Sequence, residues 1–253
     1  MITSKTAEEI ELLAEGGAIL ARIMQDLAAQ CVPGASAASL NEYAESEIEK
    51  CGGTPAFKGY GPKGQEFPAT LCISPNDMLV HGIPYKELVF KDGDVVGIDI
   101  GMKYKNLFTD HALTVGVGSV DVEVKRLLSV TKECLALAIA EAVVGNHLGD
   151  IGAAVQQYAE ERGYGVVRQL TGHGVGYAVH EDPQIPNYGE RGVGEKITEG
   201  AVLAIEPMIN MGTHKVTTAS DGWGVVTEDG KMSAHFEHTV AVTKDGPRIL
   251  TIV

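Results

Sequence analysis

Positive charge is scarce in this chain. Lysine and arginine number 20 against 34 aspartates and glutamates, for a formal net charge of −14 over 253 residues. Nucleic acid and anionic membranes call for a basic surface, so neither is expected as a partner. The four cysteines, Cys31, Cys51, Cys72 and Cys134, include no CxxC pair. That argues against a zinc knuckle or a thioredoxin-like motif, and reduced thiols in a cytoplasmic protein are expected. No stretch approaches the ~20 uninterrupted apolar residues of a membrane span. The opening "MITSKTAEEIELLAEGGAIL" carries acidic residues early and lacks the apolar run of a signal peptide. No low-complexity linker divides the chain, whose length suits one large α/β domain or two small ones.

Periodicity supplies the elements. Residues 6–29 read as a helix, with Ile10, Leu13, Gly17, Leu20, Ile23, Met24 and Leu27 near the spacing of one face. Thr6 with Glu9 three residues later is a capping-box pattern. Pro33 and Gly34 break that helix, and a second is expected from about 38 to 50. "ATLCIS" reads as a short strand, and "DVVGIDIG", "MKYKN" and "LFTDHALTVGVG" as strand, turn and strand of a hairpin. Two further helices are expected over 121–143 and 148–163, with Gly163 as a terminating residue. The remainder, "AVLAIEPMIN", "GWGVVT", "HFEHTVAVT" and "RILTIV", reads as short strands between Gly-rich turns. The element order suggests two α+β halves that share one sheet system.

The hairpin raises a chemical question. Each of its apolar strands carries an aspartate, Asp99 and Asp110, and a carboxylate buried there without a partner costs several kcal/mol. Glu206 ends the apolar run "AVLAIE", Glu237 sits in "HFEHTVAV", and His173 lies between glycines in "TGHG". Singly, a strand glutamate ordinarily faces solvent and a histidine beside glycine is ordinarily a hydrogen-bonded structural residue. Together they make four carboxylates and one imidazole. Gathered in one place, the carboxylates would repel each other unless cations were present. An oxygen-rich set with one imidazole suits manganese, iron, cobalt or zinc, and two ions rather than one. Such a pair can activate a water and polarise a carbonyl.

The chain resembles the type I methionine aminopeptidases, metallopeptidases that remove initiator methionine. The stretches that carry the resemblance are "CVPGASAASLNEYAESEIEKCGGTPAFKGY", "ATLCISPNDMLVHGIP", "GDVVGIDIG", "TDHALTV", "TGHGVGYAVHEDPQIPNYG", "IEPM" and "HFEHTVAV". The resemblance implies an α+β pita-bread (creatinase/aminopeptidase) fold, with two pseudo-symmetric halves around a dinuclear metal site. It also implies a single catalytic domain over residues 1–253. By the same token Asp99 would bind one metal only, Asp110 and Glu237 would bridge, and His173 and Glu206 would hold the other. Glu206 would also take the proton of the attacking water. His81 and His180 would contact substrate at the scissile peptide, while Cys72, Phe67 and Trp223 would surround the methionine side chain. The implied cofactors are two divalent ions, cobalt, manganese, iron or zinc. The implied substrates are nascent polypeptide N-termini with a small second residue, handled by a cytoplasmic monomer with the ribosome as a candidate contact.

Three positions depart from the family pattern. His111 follows the bridging aspartate where a small residue is common, and should point to the face opposite Asp110. The loop "GYGPKGQEFP" is longer than usual and leaves one aromatic of the pocket without a match. Val179 stands where an aromatic is common. Two other readings compete. Xaa-Pro peptidases share the ligands but usually carry an additional N-terminal domain, and non-enzymatic relatives of the fold lose ligands that this chain retains.

Overall fold

The computed structural model describes residues 1–253. Four helices, α1 (Ala7–Gln30), α2 (Ala37–Lys50), α3 (Val122–Glu141) and α4 (Leu148–Glu160), pack on a curled nine-stranded antiparallel sheet. The capping box at Thr6 and Glu9 forms as its spacing predicts, and Ser36 and Asp121 cap α2 and α3. The second helix pair ends earlier than expected, at Glu141 and Glu160. Gly163 has the expected positive φ of 84°, but in the turn beyond α4 rather than at its end.

Along the sheet the strands run Thr54–Pro55, Val95–Tyr104, Leu107–Gly116, Glu237–Thr243, Val202–Ile205, Thr171–Gly174 and Glu181–Pro186. Leu71–Pro75 adds to Val95–Tyr104, and Gly246–Ile249 to Glu237–Thr243. The hairpin is tighter than the sequence suggests. "MKY" stays in the strand and only Lys105 and Asn106 turn, with φ of 47° and 70°. Two consecutive positive φ values fit the right-handed twist of a two-residue hairpin. "RILTIV" is strand only through Ile249, and "GWGVVT" only from Val225, because Asp221 accepts the N–H groups of Trp223 and Gly224 and holds a turn there.

Two hydrophobic cores of similar size lie on the sheet. One of 22 residues sits under α3 and α4, with Leu127, Ile151, Leu203 and Val240 fully buried. The other, of 18, sits under α1 and α2, with Leu20, Leu40, Ile73 and Ile98 fully buried. Each half thus has its own helix pair and core, as the element order implied, and the two meet where Glu237–Thr243 joins Leu107–Gly116. That junction is a ladder of only two residue pairs. Thr239 extends it with its side chain, whose hydroxyl accepts the Asp110 N–H at 2.9 Å and donates to the Asp110 carbonyl at 2.8 Å. No helix is long and apolar enough to cross a membrane, and all four cysteines are free.

Candidate metal centre

Strand register assembles the acidic cluster. Asp99 pairs with Ala112, and Ala112 pairs with Glu237 on the next strand. Directly opposed residues share a face, and so do residues two apart on one strand. Asp99, Ala112, Glu237 and Asp110 therefore project together, and the methyl of Ala112 leaves room between its acidic neighbours. Cys72 pairs with Asp99 and continues the row. Across the junction Thr239 pairs with Ala204, and Ala204 with His173, which brings the imidazole to the same face. Glu206 follows two residues after Ala204, just past the strand end.

Glycine makes the close approaches possible. Asp110 faces Gly101, where a Cβ would lie 2.7 Å from the Phe57 ring. On the strand of His173, a Cβ on Gly174 would lie 2.2 Å from the Asp182 carbonyl. A side chain at Gly101 would run into the Phe57 ring, and one at Gly174 into the Asp182 backbone.

The ten residues singled out from the sequence, Phe67, Cys72, His81, Asp99, Asp110, His173, His180, Glu206, Trp223 and Glu237, all line one cavity of ≈ 310 Å³. Ligand atoms of Asp110, His173 and Glu237 lie within 4.8 Å of one another. Glu206 Oε1 lies 3.4 Å from His173 Nε2. His173 Nδ1 is 2.9 Å from the Gly174 carbonyl, so Nδ1–H donates there and Nε2 keeps its lone pair facing the cavity.

The donor set fits metal. Burial and then mutual repulsion push the Asp110 and Glu237 carboxyls well above the ordinary range, burial does the same to Glu206, and burial raises Asp99 to about 7. His173 falls to about 3, chiefly through burial, and so is neutral. Asp99 Oδ1 and Glu237 Oε1 are buried without a hydrogen-bond partner. Four buried carboxylates, two of them with an unpartnered oxygen, beside a neutral imidazole form a cation site whose own charges destabilise one another until cations bind.

The wall that adjoins this row at Cys72 is apolar. Phe57, Phe67, Ala69, Cys72 and Val179 form a buried cluster, with Trp223 packed against it. Phe67 and Trp223 meet edge to face at 5.2 Å. Burial, followed by the nearby carboxylates, raises the Cys72 thiol well above its usual range and keeps it an uncharged lining group. The long loop does supply an aromatic, contrary to the sequence reading. Tyr60 turns its ring onto His180, with centroids 4.9 Å apart, and Phe57 lines the cavity beside it. Backbone hydrogen bonds between Gly59, Tyr60 and Phe67 fold the extra residues outward and so return both aromatics to the cavity. Val179, where an aromatic is common, is buried within the wall. His81, with a left-handed φ of 59°, is lowered by burial to about 4. Such a backbone is uncommon away from glycine and concentrates at functional positions.

His111 lies on the far face, as alternation predicts. It is buried, stacks on His238 at 4.7 Å, and donates from Nδ1 to the Glu237 carbonyl at 2.6 Å. His235 was missed altogether. It is buried, and its Nε2 lies 3.2 Å from Glu206 Oε2 without a hydrogen bond to it. Its spacing of two residues from Glu237 in "HFE" was the available signal.

A buried carboxylate cluster beside an apolar wall has the composition of a metal-dependent hydrolytic site. The chain belongs to metallopeptidase family M24, whose model matches residues 11–244. It is 46% identical to a methionine aminopeptidase of Clostridium perfringens over 254 aligned positions, with 100% of both chains covered. Methionine aminopeptidase of Thermotoga maritima superposes with a TM-score of 0.96 at 42% identity, again over 100% of both chains. A prolidase of Pyrococcus furiosus shares the fold alone, at TM-score 0.79 and 24% identity, with 65% of its length covered.

Proposed function

We propose that this chain is a metal-dependent methionyl aminopeptidase that hydrolyses the first peptide bond of polypeptides beginning with methionine. One observation carries the reading. The cation-demanding row Asp99, Asp110, Glu237 and the apolar wall around Cys72 line a single cavity and adjoin where Cys72 pairs with Asp99, in a chain matched end to end by methionine aminopeptidases. A single catalytic domain spans residues 1–253.

Asp99, Asp110, His173, Glu206 and Glu237 would hold two divalent ions. Asp99 would serve one ion, Asp110 and Glu237 would serve both, and His173 and Glu206 would serve the other. When bound, the ions polarise the scissile carbonyl and make water more acidic. Glu206 takes the proton of the attacking water and returns it to the departing amine. His180 donates to the oxygen on which charge develops, and His81 orients the peptide beside it. Phe67, Cys72 and Trp223, joined by Phe57 and Tyr60, enclose the methionine side chain, and a polarizable thiol among aromatic rings suits a thioether. The acidic floor holds the free α-amine, which restricts cleavage to the first bond. Bulk at the second residue meets the narrow cavity, so small residues are favoured there.

The ions are drawn from cobalt, manganese, iron and zinc. Substrates are nascent polypeptide N-termini, reached by a cytoplasmic monomer close to the ribosome, and the four free thiols agree with a reducing compartment. The test is hydrolysis of Met-Ala-Ser against Ala-Pro peptides by metal-depleted and then metal-restored protein. Restored cleavage of Met-Ala-Ser alone supports the reading. Cleavage confined to Xaa-Pro bonds replaces it with a prolidase-like activity.

A further inference from the structure

His180 stands at the exposed mouth of the cavity, on the loop between strands Thr171–Gly174 and Glu181–Pro186. An exposed loop places a side chain loosely unless its backbone is tied. Here the tie is an ionic cluster with no part in the chemistry above. Glu181 Oε1 accepts the Ala178 N–H at 3.2 Å and the Tyr177 N–H, both in the loop. Glu181 Oε2 accepts Lys5 Nζ at 2.7 Å and the Thr3 hydroxyl at 2.7 Å, both on the segment before α1.

The anchor is itself fixed. Lys5 N–H donates to the Gly200 carbonyl at 2.8 Å and Ser4 Oγ to the Glu199 carbonyl at 3.0 Å, which joins the segment to the approach of strand Val202–Ile205. Glu206 follows directly on that strand. The Lys5 side chain is 1% exposed and lies 4.6 Å over the Tyr177 ring. The Tyr177 hydroxyl donates to Glu9 at 2.9 Å, the same glutamate that closes the capping box of α1. Gly176, at φ +139°, lets the loop close over the lysine, since a Cβ there would lie 2.6 Å from Lys5 Cε.

Burying an ammonium and a carboxylate is a poor route to stability, because an apolar pair of similar volume is often as good or better. What an ion pair with four directed hydrogen bonds on its carboxylate supplies is a fixed geometry. We propose that Glu181, held by buried Lys5, is a positioning residue that sets His180 over the scissile bond and couples its loop to the strand that delivers Glu206. The inference rests on the reading of His180 as a substrate-contacting residue.

The experiment is a double-mutant cycle in metal-loaded protein, with Met-Ala-Ser as substrate. Glu181→Gln should lower kcat about 10–100-fold, the scale of a misplacement near 1 Å, while KM and metal content hold. In the His180→Ala background the same change should cost almost nothing further, because Glu181 acts through the ring that is gone. Lys5→Met should behave as Glu181→Gln does, and Lys5→Arg should retain turnover. The His180 ring resonances of the substrate-free enzyme should move in Glu181→Gln. Should that variant fail to fold, Thr3→Val, which removes one exposed hydroxyl partner of the same carboxylate, is read in the same cycle, with a smaller loss confined to the His180 background. Equal losses with and without His180 would overturn the inference, as would wild-type kcat in Glu181→Gln alongside a crippled His180→Ala. Wild-type kcat in His180→Ala would instead remove the underlying reading and this inference with it.

Discussion

His235 Nε2 lies 3.2 Å from Glu206 Oε2, yet the two form no hydrogen bond. The imidazole is buried and neutral, its protonation disfavoured by burial, and its backbone is pinned on both sides by Thr114. It is therefore a fixed dipole beside the proposed base. Groups that support a metal ligand from behind typically matter 10–100-fold. His235→Leu should lower kcat/KM by about that factor, and His235→Gln, which keeps a polar group in place, by much less. Wild-type activity in the leucine variant would show that Glu206 needs no such neighbour.

Asp110→Ala and Glu237→Ala should each lose at least one bound ion together with turnover, because each is proposed to serve both. Metal should also stabilise the fold by mass action, by roughly 2.7 kcal/mol at a hundredfold excess over Kd. Metal analysis and thermal melts with and without chelator check both points. Full metal content in either variant, or a melting temperature indifferent to chelator, refutes the assignment.

The stacked pair His111 and His238 predicts an acid limb of stability. Burial lowers them to about 4 and about 3 from an ordinary value near 6.5. The unfolded chain therefore binds more protons below pH 6.5, so stability is fully present above that value and drains away as pH falls toward 4. Each pH unit in that window removes up to about 1.4 kcal/mol per histidine. His238→Gln should flatten the limb, and melting temperatures at pH 7.5, 6.5, 5.5 and 4.5 compare the two proteins. Parallel curves would mean that the pair titrates normally.

Trp223 closes the apolar wall against Phe67, edge to face at 5.2 Å. Trp223→Ala should widen the pocket and weaken preference for methionine over leucine while metal content holds. A hydrophobic pocket separates side chains by only ~1–3 kcal/mol per methylene, so norleucine should be cleaved nearly as well as methionine by the wild type. Equal rates on N-terminal methionine and N-terminal lysine would remove the pocket assignment.

Much of the molecule was written locally. Thr6 and Glu9 are three residues apart, and a helix start needs nothing more. Asp110 and Ala112 share a strand face by alternation alone, and apolar runs interrupted by single carboxylates signal a cation without any knowledge of the partners. Asp99, Asp110, His173, Glu206 and Glu237, chosen from such patterns, line one cavity, and so do the five residues that only the resemblance supplied, Phe67, Cys72, His81, His180 and Trp223. Local pattern says which face a side chain takes, but not which strand lies beside it. The row Asp99, Ala112, Glu237 exists because two strands far apart in the chain meet in one register, with Thr239 bonded to Asp110 across 129 positions. The return of Tyr60 and Phe57 to the cavity is a matter of how the long loop folds on itself, and the hold of Lys5 on Glu181 spans 176 positions. Such pairings depend on closing the whole chain around two cores, which is information that no short window of sequence contains.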